Sequence, residues 1–446
     1  MSAAASSGDE PSGRAFRDET SPSGRASRDV AVIGLGRVGL PLALAFADAG
    51  LDVIGVDNDP ARIDALREGR MPFDEPGAPE VLARVQAAGR LTLGERAEDA
   101  APATHIVLTL GTPALSHIEI DLRQIRAVLD DLLPHLRAGH AIHLRSTIAP
   151  DTTEFVAGYL TKHRGFVIGE DVFVAHVPER IASAKFFEEI STLPCIVGGV
   201  GERSGEIAAE LFERLGAPIV QTTPVQAELA KIWTNILRYA NFALPNLMMM
   251  DCEQYGANVF EVVDLINRDY PRGGMKLPGF TAGTCLRKDF AFSEERSNAP
   301  GMLLAVSRVN ESVPLFLVQG LKRRLGSLDG KKIAVLGLAF KSDTDDERDS
   351  LSHKLVRLLE RQLADVAIHD PHVPTPTSSL ADAILDADAV VVATNHHEFC
   401  TPETLRAIVE GTRHEALIVD PWNCWGAAQV FAHTDEVALL AGLTSR

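Results

Sequence analysis

Three glycines near the start of the chain have the spacing found in dinucleotide-binding proteins. Gly34, Gly36 and Gly39 follow an apolar strand and open a helix rich in Ala and Leu. Glycine at these places allows a tight turn, a close approach of a pyrophosphate, and close packing of helix on strand. The helix N-terminus adds N–H groups and a partial positive charge that suit phosphates. The pattern predicts a dinucleotide site.

The residue that ends the next strand indicates which dinucleotide binds. Asp57 lies 18 residues after Gly39, where a carboxylate would accept hydrogen bonds from the adenosine ribose hydroxyls and repel a 2′-phosphate. NAD is therefore favoured. Arg37 and Arg62 lie nearby and keep NADP as the alternative.

Three further clusters combine residue types that suit catalysis better than packing. Any one of them alone would have a plainer interpretation, such as a buried thiol, a solvated lysine or a surface ion pair. Their co-occurrence favours an active site. They are Glu179 and Arg180 at a strand end after His176; Glu228, Lys231 and Asn235 on one helix face; and Cys285, Lys288 and Asp289 behind a glycine-containing loop.

Two α/β regions and a helical region must position these clusters. Short apolar runs alternate with helical stretches before about residue 225 and again after Asp329, which predicts two Rossmann-like, doubly wound domains joined by a long helical connector. The ligand cleft is expected between the lobes, beyond the carboxyl ends of the strands. The predicted divisions are a disordered tail (1–28), an NAD-binding domain (29–224), a connector with the cysteine loop and the dimer contact (225–328), and a second Rossmann-like domain (329–446).

Composition narrows the class of protein. A net charge of -18 argues against nucleic acid or an anionic membrane as the partner, and no apolar run is long enough to span a bilayer. Five scattered cysteines without a CxxC pair predict reduced thiols and a cytoplasmic protein. The tail lacks the apolar segment of a signal peptide. His396 and His397 near Glu398 lack ligand spacing, so no metal site is predicted.

At this point the chain resembles the nucleotide-sugar dehydrogenases of the UDP-glucose/GDP-mannose dehydrogenase family. The resemblance runs from about Val30 to Asn423 and depends on several motifs in the same order. They are the glycine turn with Asp57; Thr112-Pro113; Ser146-Thr147 before Pro150 to Thr153; Pro178-Glu179-Arg180; the helix with Lys231 and Asn235; the loop with Cys285 and Asp289; and Gly337 to Lys341 with Asp346, Arg348 and Ser350.

The resemblance implies a four-electron oxidation of a sugar C6 hydroxyl to a carboxylate with two NAD. Cys285 would form a thiohemiacetal and then a thioester, while Lys231 and Asn235 would stabilise the oxyanion. Asp289 would act as base, directly or through a water. Glu179 and Thr147 would position or activate the hydrolytic water.

It also implies the binding residues and a partner. The small-molecule partner would be a sugar nucleotide, while a homodimer is predicted separately, from the long apolar helical connector. The cofactor would contact Gly34, Gly36, Arg37, Val38, Gly39, Asp57, Arg62, Thr112, Pro113 and Thr147. The substrate would contact Glu179, Arg180, Lys231, Asn235, Arg272, Gly279, Phe340, Lys341 and Arg348.

The chain departs from the family around the sugar. The loop from Gly279 to Cys285 is one residue shorter than usual and has Ala282 in place of a glycine, and Leu247 stands where glutamate is common. The Pro-Glu-Arg form resembles enzymes that act on UDP-N-acetylhexosamines, whereas Lys288-Asp289 resembles those acting on UDP-glucose and GDP-mannose. A UDP-N-acetylhexosamine is the favoured substrate, with UDP-glucose next.

Two other functions compete with this one. A two-electron β-hydroxyacid dehydrogenase would also use a helical lysine and asparagine, but it needs neither the cysteine nor a second Rossmann domain. A catalytically altered protein that only binds nucleotide sugars would account for the changed loop. The number of NADH formed per sugar distinguishes all three.

Overall fold

A computed structural model describes residues 28–442, apart from 112–113, 116–118, 121, 183, 282, 295–300, 427–428 and 441. The predicted tail up to residue 27 and the candidate residues Thr112, Pro113 and Ala282 therefore lie outside the described residues, whereas Arg28, predicted as the last residue of the tail, begins the first strand. Within the described part of the chain, no helix combines the length and the apolar character that a membrane span requires.

The first domain is built on an eight-stranded sheet in the order β10-β9-β8-β7-β4-β1-β2-β3. Neighbouring strands are parallel except β8 and β9, which are antiparallel. The central strands are buried on both faces, as continuous apolar runs predict. The strands are β1 (Arg28–Ile33), β2 (Val53–Val56), β3 (Leu91–Gly94), β4 (Ala103–Leu108), β5 (Ala114–Leu115) and β6 (Glu119–Ile120) in a separate hairpin, β7 (Ala141–Leu144), β8 (Phe173–His176), β9 (Cys195–Gly199) and β10 (Ile219–Thr222).

Helices connect these strands and cover the sheet. Two apolar clusters form the core of the domain, and they contain residues from alternate positions of the same strands, such as Val30 and Ala31. The helices are α1 (Gly39–Asp48), α2 (Pro60–Arg67), α3 (Ala78–Ala87), α4 (Arg123–Leu132), α5 (Thr152–Arg164), α6 (Phe186–Glu189) and α7 (Glu202–Glu213).

Four helices form the connector: α8 (Pro224–Tyr255), α9 (Val259–Asn267), α10 (Thr284–Glu294) and α11 (Met302–Leu325). Helix α8 begins at a proline in its first turn, where a missing N–H costs nothing, and Thr223 and Gln226 form a capping box. It ends at Gly256, whose φ of 67° stops the helix.

The second domain has a five-stranded sheet in the order β12-β11-β13-β14-β15, with only β15 antiparallel to its neighbour. Its strands are β11 (Lys332–Leu336), β12 (Asp365–His369), β13 (Ala389–Val392), β14 (Leu417–Val419) and β15 (Phe431–His433), and its helices are α12 (Leu351–Glu360), α13 (Leu380–Ile384), α14 (Pro402–Gly411) and α15 (Thr434–Leu440). The predicted fold class, two parallel-dominated α/β sheets with a long helix between them, is confirmed.

The two sheets repeat one turn geometry. Gly34 after β1 and Gly337 after β11 both have a φ of 97°. In each turn the next N–H donates, at 2.6 Å, to an aspartate that ends the adjacent strand: Asp57 in the first domain and Asp370 in the second. The second domain therefore has the backbone of a nucleotide-binding turn as well.

The prediction of five reduced thiols is wrong for two of them. Cys400 and Cys424 are paired as a disulfide that joins the segments after β13 and β14, with Cα atoms 4.6 Å apart. These residues meet because β13 and β14 are neighbouring strands, and their spacing in the sequence could not predict the disulfide. Cys195, Cys252 and Cys285 are free thiols. Cysteine usage therefore no longer supports a cytoplasmic location by itself.

Candidate active site

The glycine turn of the first domain is open where a ligand would approach. A methyl group added to Gly39 would lie 1.8 Å from the carbonyl oxygen of Gly34, so helix α1 can pack here only with glycine. A methyl group added to Gly36 would meet no atom within 4 Å, which leaves this stretch of backbone accessible. A cavity of about 700 Å³ lies beside the turn, lined among others by Asp57 and Thr109.

Asp57 is held in place at the edge of this cavity. Its carboxylate accepts hydrogen bonds from the backbone N–H groups of Leu35 (2.6 Å) and Asp59 (2.9 Å). The guanidinium of Arg62 pairs with the same carboxylate at 2.7 Å. Arg62 therefore neutralises Asp57 here and is not directed toward a 2′-phosphate. The cavity, the open backbone and the fixed carboxylate fit NAD.

Arg37 reaches the other domain. Its guanidinium lies 2.6 Å from Asp345 and 3.4 Å from Asp346, and it stacks over the ring of Phe73 at 5.1 Å. Arg37, predicted as a cofactor contact, therefore forms an ion pair across the domain boundary. Val38, another predicted cofactor contact, directly precedes helix α1. The N–H of Asp74 also donates to Asp345 at 3.0 Å, so the cofactor turn and the loop after β11 are tied together.

Helices α8 and α10 bring three predicted catalytic groups together. Asn235 Nδ2 donates to Asp289 Oδ2 at 2.5 Å, and Lys288 Nζ lies 2.9 Å from Asp289 Oδ1. Asp289 is fully buried, so both of its oxygens are engaged by protein groups. Lys231 is one turn before Asn235 on α8 and lies within electrostatic reach of Asp289.

Burial lowers the pKa of Lys231 from its ordinary value. The carboxylates of Asp289 and Glu179 oppose the shift, and Cys285 does so when it is ionised. An ammonium group in such a place is partly desolvated and acts strongly on any oxygen that develops negative charge beside it.

Cys285, in the first turn of α10, is accessible to solvent, yet the surrounding protein changes its chemistry. Desolvation, followed by the negative charge of Asp289, raises the pKa of its thiol. Three cations oppose this shift, namely Lys288, Lys231 and Arg348. The thiol can therefore meet a substrate, but it is not a preformed thiolate at neutral pH.

Two buried asparagines hold the loop before Cys285. The N–H of Gly279 donates to Asn246 Oδ1 at 2.9 Å, and Asn246 Nδ2 donates to Asn310 Oδ1 at 3.0 Å. Asn310 in turn donates to the carbonyl of Tyr239 on α8 at 3.0 Å. The sequence analysis assigned a role to neither asparagine, because neither carries an ionisable group.

Aromatic rings of the second domain pack on this loop. A methyl group added to Gly279 would lie 2.4 Å from the ring of Trp422, and one added to Gly283 would lie 2.7 Å from the ring of Phe340. Phe340, a predicted substrate contact, thus lies against the cysteine loop. Lys341 follows it and is partly buried; burial lowers its pKa, and the nearby charges of Arg238 and Lys185 add to the effect.

Glu179 is engaged by the protein itself. Its carboxylate lies 2.6 Å from the guanidinium of the buried Arg145 and accepts the N–H groups of Arg180 (2.6 Å) and Ile181 (2.7 Å). This arrangement fixes the turn after β8. Arg145 was missed from the sequence because it precedes Glu179 by 34 residues and meets it only across adjacent strands.

Three other residues that the sequence analysis singled out have partners within the chain. Glu228 accepts hydrogen bonds from the N–H groups of Asp151 and Thr153, both at 2.8 Å, so it supports the start of α5. Arg348 forms a two-point ion pair with Asp346, at 2.8 and 2.7 Å. Arg272 donates to the hydroxyl of Tyr270 at 2.9 Å in an exposed turn.

Comparison with known proteins gives matches along nearly the whole described chain. Three models of the UDP-glucose/GDP-mannose dehydrogenase family match in order: the NAD binding domain over residues 28–216, the central domain over 225–312 and the UDP binding domain over 334–427.

Individual relatives match over the same length. A UDP-N-acetyl-D-mannosamine dehydrogenase of Pyrococcus horikoshii is 33% identical over 87% of this chain and 94% of the relative. An NDP-N-acetyl-D-galactosaminuronic acid dehydrogenase of Ralstonia solanacearum is 29% identical over 91% and 98%. The solved UDP-N-acetyl-mannosamine dehydrogenase of Staphylococcus aureus superposes with a TM-score of 0.80 at 30% identity, covering 89% of this chain and 95% of that one.

Proposed function

The chain belongs to the UDP-glucose/GDP-mannose dehydrogenase family, and we propose that it oxidises the C6 hydroxyl of a UDP-N-acetylhexosamine to a carboxylate. It is an NAD-dependent dehydrogenase of a nucleotide sugar. The observation that carries the proposal is the meeting of Cys285 with Lys231, Asn235 and Asp289, beside a loop that the UDP-binding domain covers.

When bound, NAD+ would supply the hydride acceptor for both oxidations. The backbone of Gly34 and Gly36 would hold its pyrophosphate, and Asp57 its adenosine ribose, since these groups border the 700 Å³ cavity. The other residues of the chain bind and orient the sugar, hold its oxygen and move protons.

In the first oxidation the C6 hydroxyl loses a hydride and a proton and becomes an aldehyde. Lys231 would donate a hydrogen bond to the C6 oxygen throughout this step. Asp289 would take the proton through a water, because both carboxylate oxygens already have protein partners. Its contacts also fix the Asn235 amide for the next step.

In the second oxidation the thiol of Cys285 adds to the aldehyde, and the thiol proton goes to the carbonyl oxygen of the new thiohemiacetal. Lys231 and Asn235 would stabilise this oxygen as its proton leaves to solvent and the carbon gives up the second hydride to the bound nicotinamide. The product is a thioester. Water then attacks it, releases the carboxylate and restores the thiol.

Thr147 and Glu179 would position the attacking water. Because Arg145 and two N–H groups bind the Glu179 carboxylate, we assign it a positioning role that depends on its fixed negative charge. We assign Arg180, which follows it in the chain, to the sugar.

The nucleotide half of the substrate would lie on the second domain. We assign Phe340, which packs on the cysteine loop, and Lys341, which follows it, to the binding of the nucleotide diphosphate. The ammonium group of Lys341 suits a diphosphate. Arg348 would reach that diphosphate only by leaving Asp346. The relatives that act on N-acetylated sugars favour a UDP-N-acetylhexosamine over UDP-glucose. We also propose a cytoplasmic location, since both substrates are small metabolites of that compartment.

A substrate panel tests the choice of sugar. We expect the highest kcat/KM, read as NADH absorbance, with UDP-N-acetylmannosamine or another UDP-N-acetylhexosamine, and at least tenfold lower values with UDP-glucose and GDP-mannose. A preference for UDP-glucose would contradict the assignment. Binding of every sugar nucleotide without NADH formation would identify a binding protein instead.

A further inference from the structure

Four side chains of metal-ligand type lie together at the ligand edge of the second sheet, outside the active site. Asp343 lies in the loop after β11, His372 after β12, and His396 and Glu398 after β13, and one ligand atom of each lies within 4.8 Å of those of the others. The sequence analysis predicted no metal here. The sheet order β12-β11-β13 supplies the partners that local spacing did not reveal.

We propose that these four residues bind one Zn²⁺ ion in the second domain. Two imidazoles and two carboxylates are a donor set that zinc accepts in four-coordinate sites with no open position. Magnesium and calcium prefer oxygen ligands alone, so the pair of histidines disfavours them.

The distances are close to those of a tetrahedral site. His372 Nε2 lies 3.2 Å from Glu398 Oε2, and His396 Nδ1 lies 3.9 Å from Asp343 Oδ1. Ligand atoms at zinc–ligand distances of about 2.0–2.1 Å stand about 3.3 Å apart in a tetrahedron. The first pair already matches, whereas the second has to close by about 0.6 Å, which requires the partly exposed Asp343 carboxylate to give up its contacts with His397.

A buried carboxylate fixes the orientation and the protonated nitrogen of His396, one of the proposed ligands. Asp370 Oδ2 lies 3.1 Å from Nε2 of His396, whose side chain is fully buried. The same Asp370 oxygen also accepts the backbone N–H groups of Leu338 (2.6 Å) and Ala339 (2.9 Å), so it acts as a hydrogen-bond acceptor toward His396 as well. The carboxylate therefore keeps the proton on Nε2, which leaves the Nδ1 lone pair facing the other ligands. Metal-bound histidines commonly have such a partner.

Zinc would change several interactions around the loop after β11, because the Asp343 carboxylate already accepts the N–H of His397 at 3.0 Å and pairs with its imidazole. In the ion-free protein, His396 Nδ1 accepts the N–H of Asp343 at 2.9 Å, and zinc would take this lone pair instead. The direct hydrogen bond between the Asp343 backbone and His396 would then be replaced by an indirect link, in which the Asp343 carboxylate and the His396 imidazole both bind the ion. This loop also carries Lys341, so the ion would fasten the diphosphate-facing segment to the ends of β12 and β13. The site itself does not depend on the proposed reaction.

Calorimetric titration of the full chain without an affinity tag, after treatment with a chelator, tests the proposal. We expect one Zn²⁺ per chain, a rise in Tm that the chelator reverses, and no response to Mg²⁺. Co²⁺ in place of zinc should give the visible absorption of a tetrahedral complex without a thiolate charge-transfer band. A thiolate band would place the ion at a cysteine and overturn the assignment.

Two single variants locate the ion, and a third serves as control. His372→Asn and Glu398→Gln should each weaken zinc binding at least tenfold, and the exposed position of Glu398 makes loss of folding no concern for the second. His414→Asn, at an exposed histidine that pairs with Asp435, should bind like the unmodified chain. Absence of saturable binding, or equal affinity in all three variants, would overturn the proposal.

Discussion

At Cys285 the surrounding charges decide when the thiol becomes reactive. Desolvation and Asp289 raise its pKa, while Lys231, Lys288 and Arg348 lower it. The net effect keeps the group protonated near neutral pH, so it needs the substrate aldehyde and its neighbours to react. Such a solvent-accessible thiol resists adventitious oxidation between turnovers.

The pH dependence of alkylation tests this description. The rate of Cys285 modification by iodoacetamide should still be rising at pH 9, because the thiolate fraction grows until pH passes the raised pKa. Lys231→Met should slow modification at pH 8, since it removes a charge that favours the thiolate. Lys162→Met, at an exposed lysine on α5, should not. A plateau below pH 8 would contradict the raised pKa.

At the same scale, sequence identified residue types better than their partners. The thiol, the ammonium, the amide and the carboxylate of the proposed centre were all named from motifs, and the structure brings them together. The partners of Glu179 and Arg62 were not foreseen. The carboxylate of Glu179 pairs with Arg145, 34 residues away on the neighbouring strand end. Arg62 pairs with Asp57, only five residues before it, because the start of α2 turns its side chain back toward β2.

Among the elements, the first sheet carries four histidines on or beside its strands, three of them buried and His105 half-buried. His105 Nδ1 on β4 lies 3.1 Å from His143 Nε2 on β7. His140, directly before β7, and His176, at the end of β8, are both buried. Burial lowers the pKa of His105 and of His140 to about 4, and that of His176 to about 3; it also lowers the pKa of His143 well below its ordinary value. The folded sheet therefore holds all four as neutral rings.

These histidines predict acid sensitivity of the first domain. The unfolded chain protonates them near pH 6.5 while the folded chain does not, so stability is complete above that pH and falls as pH drops toward 4. Each ring costs up to about 2 kcal/mol of unfolding free energy between pH 7 and pH 5. Denaturant unfolding should show His140→Asn losing less stability over this range than the unmodified chain, and His414→Asn losing as much. An unchanged unfolding free energy at pH 5 would contradict the neutral rings.

Helix α8 leaves an apolar stripe exposed. Trp233, Leu237 and Leu244 are 50%, 60% and 60% exposed, at helical spacings that place them on one side. Large apolar residues in such a row usually meet a partner, and we propose that two copies of α8 cover each other in a homodimer.

Light scattering on the double variant Leu237→Glu/Leu244→Glu tests that surface. The variant should shift the mass from dimer to monomer, because facing carboxylates cannot be buried unpaired. The matched variant Leu363→Glu, at an exposed leucine of the second domain, should leave the mass unchanged. A monomeric unmodified chain, or a dimer that persists in the double variant, would contradict this interface.

For the whole molecule, two nucleotide-binding turns of one geometry have acquired different surroundings. In the first domain Asp57 borders an open cavity that fits NAD. In the second domain Asp370 is at the equivalent position, but the imidazole of His396 lies 3.1 Å from its carboxylate. The domains then meet at the cysteine loop, where rings of the second domain pack on glycines of the connector.

The overall architecture was predictable because buried parallel strands are continuous apolar runs with turn residues at their ends. Features that depend on which strands are neighbours in the sheet could not be predicted from the sequence. The antiparallel pairing of β8 with β9, the Cys400–Cys424 disulfide and the four-residue cluster around His396 all join segments distant in sequence.

The central claim is a four-electron oxidation through Cys285, and the ratio of NADH formed to nucleotide sugar consumed tests it most directly. We predict two NADH for each UDP-N-acetylhexosamine converted to the uronic acid. Cys285→Ser should stop at the aldehyde or give no product, so its ratio should never reach two. A ratio of one in the unmodified chain, or a ratio of two in Cys285→Ser, would contradict the account.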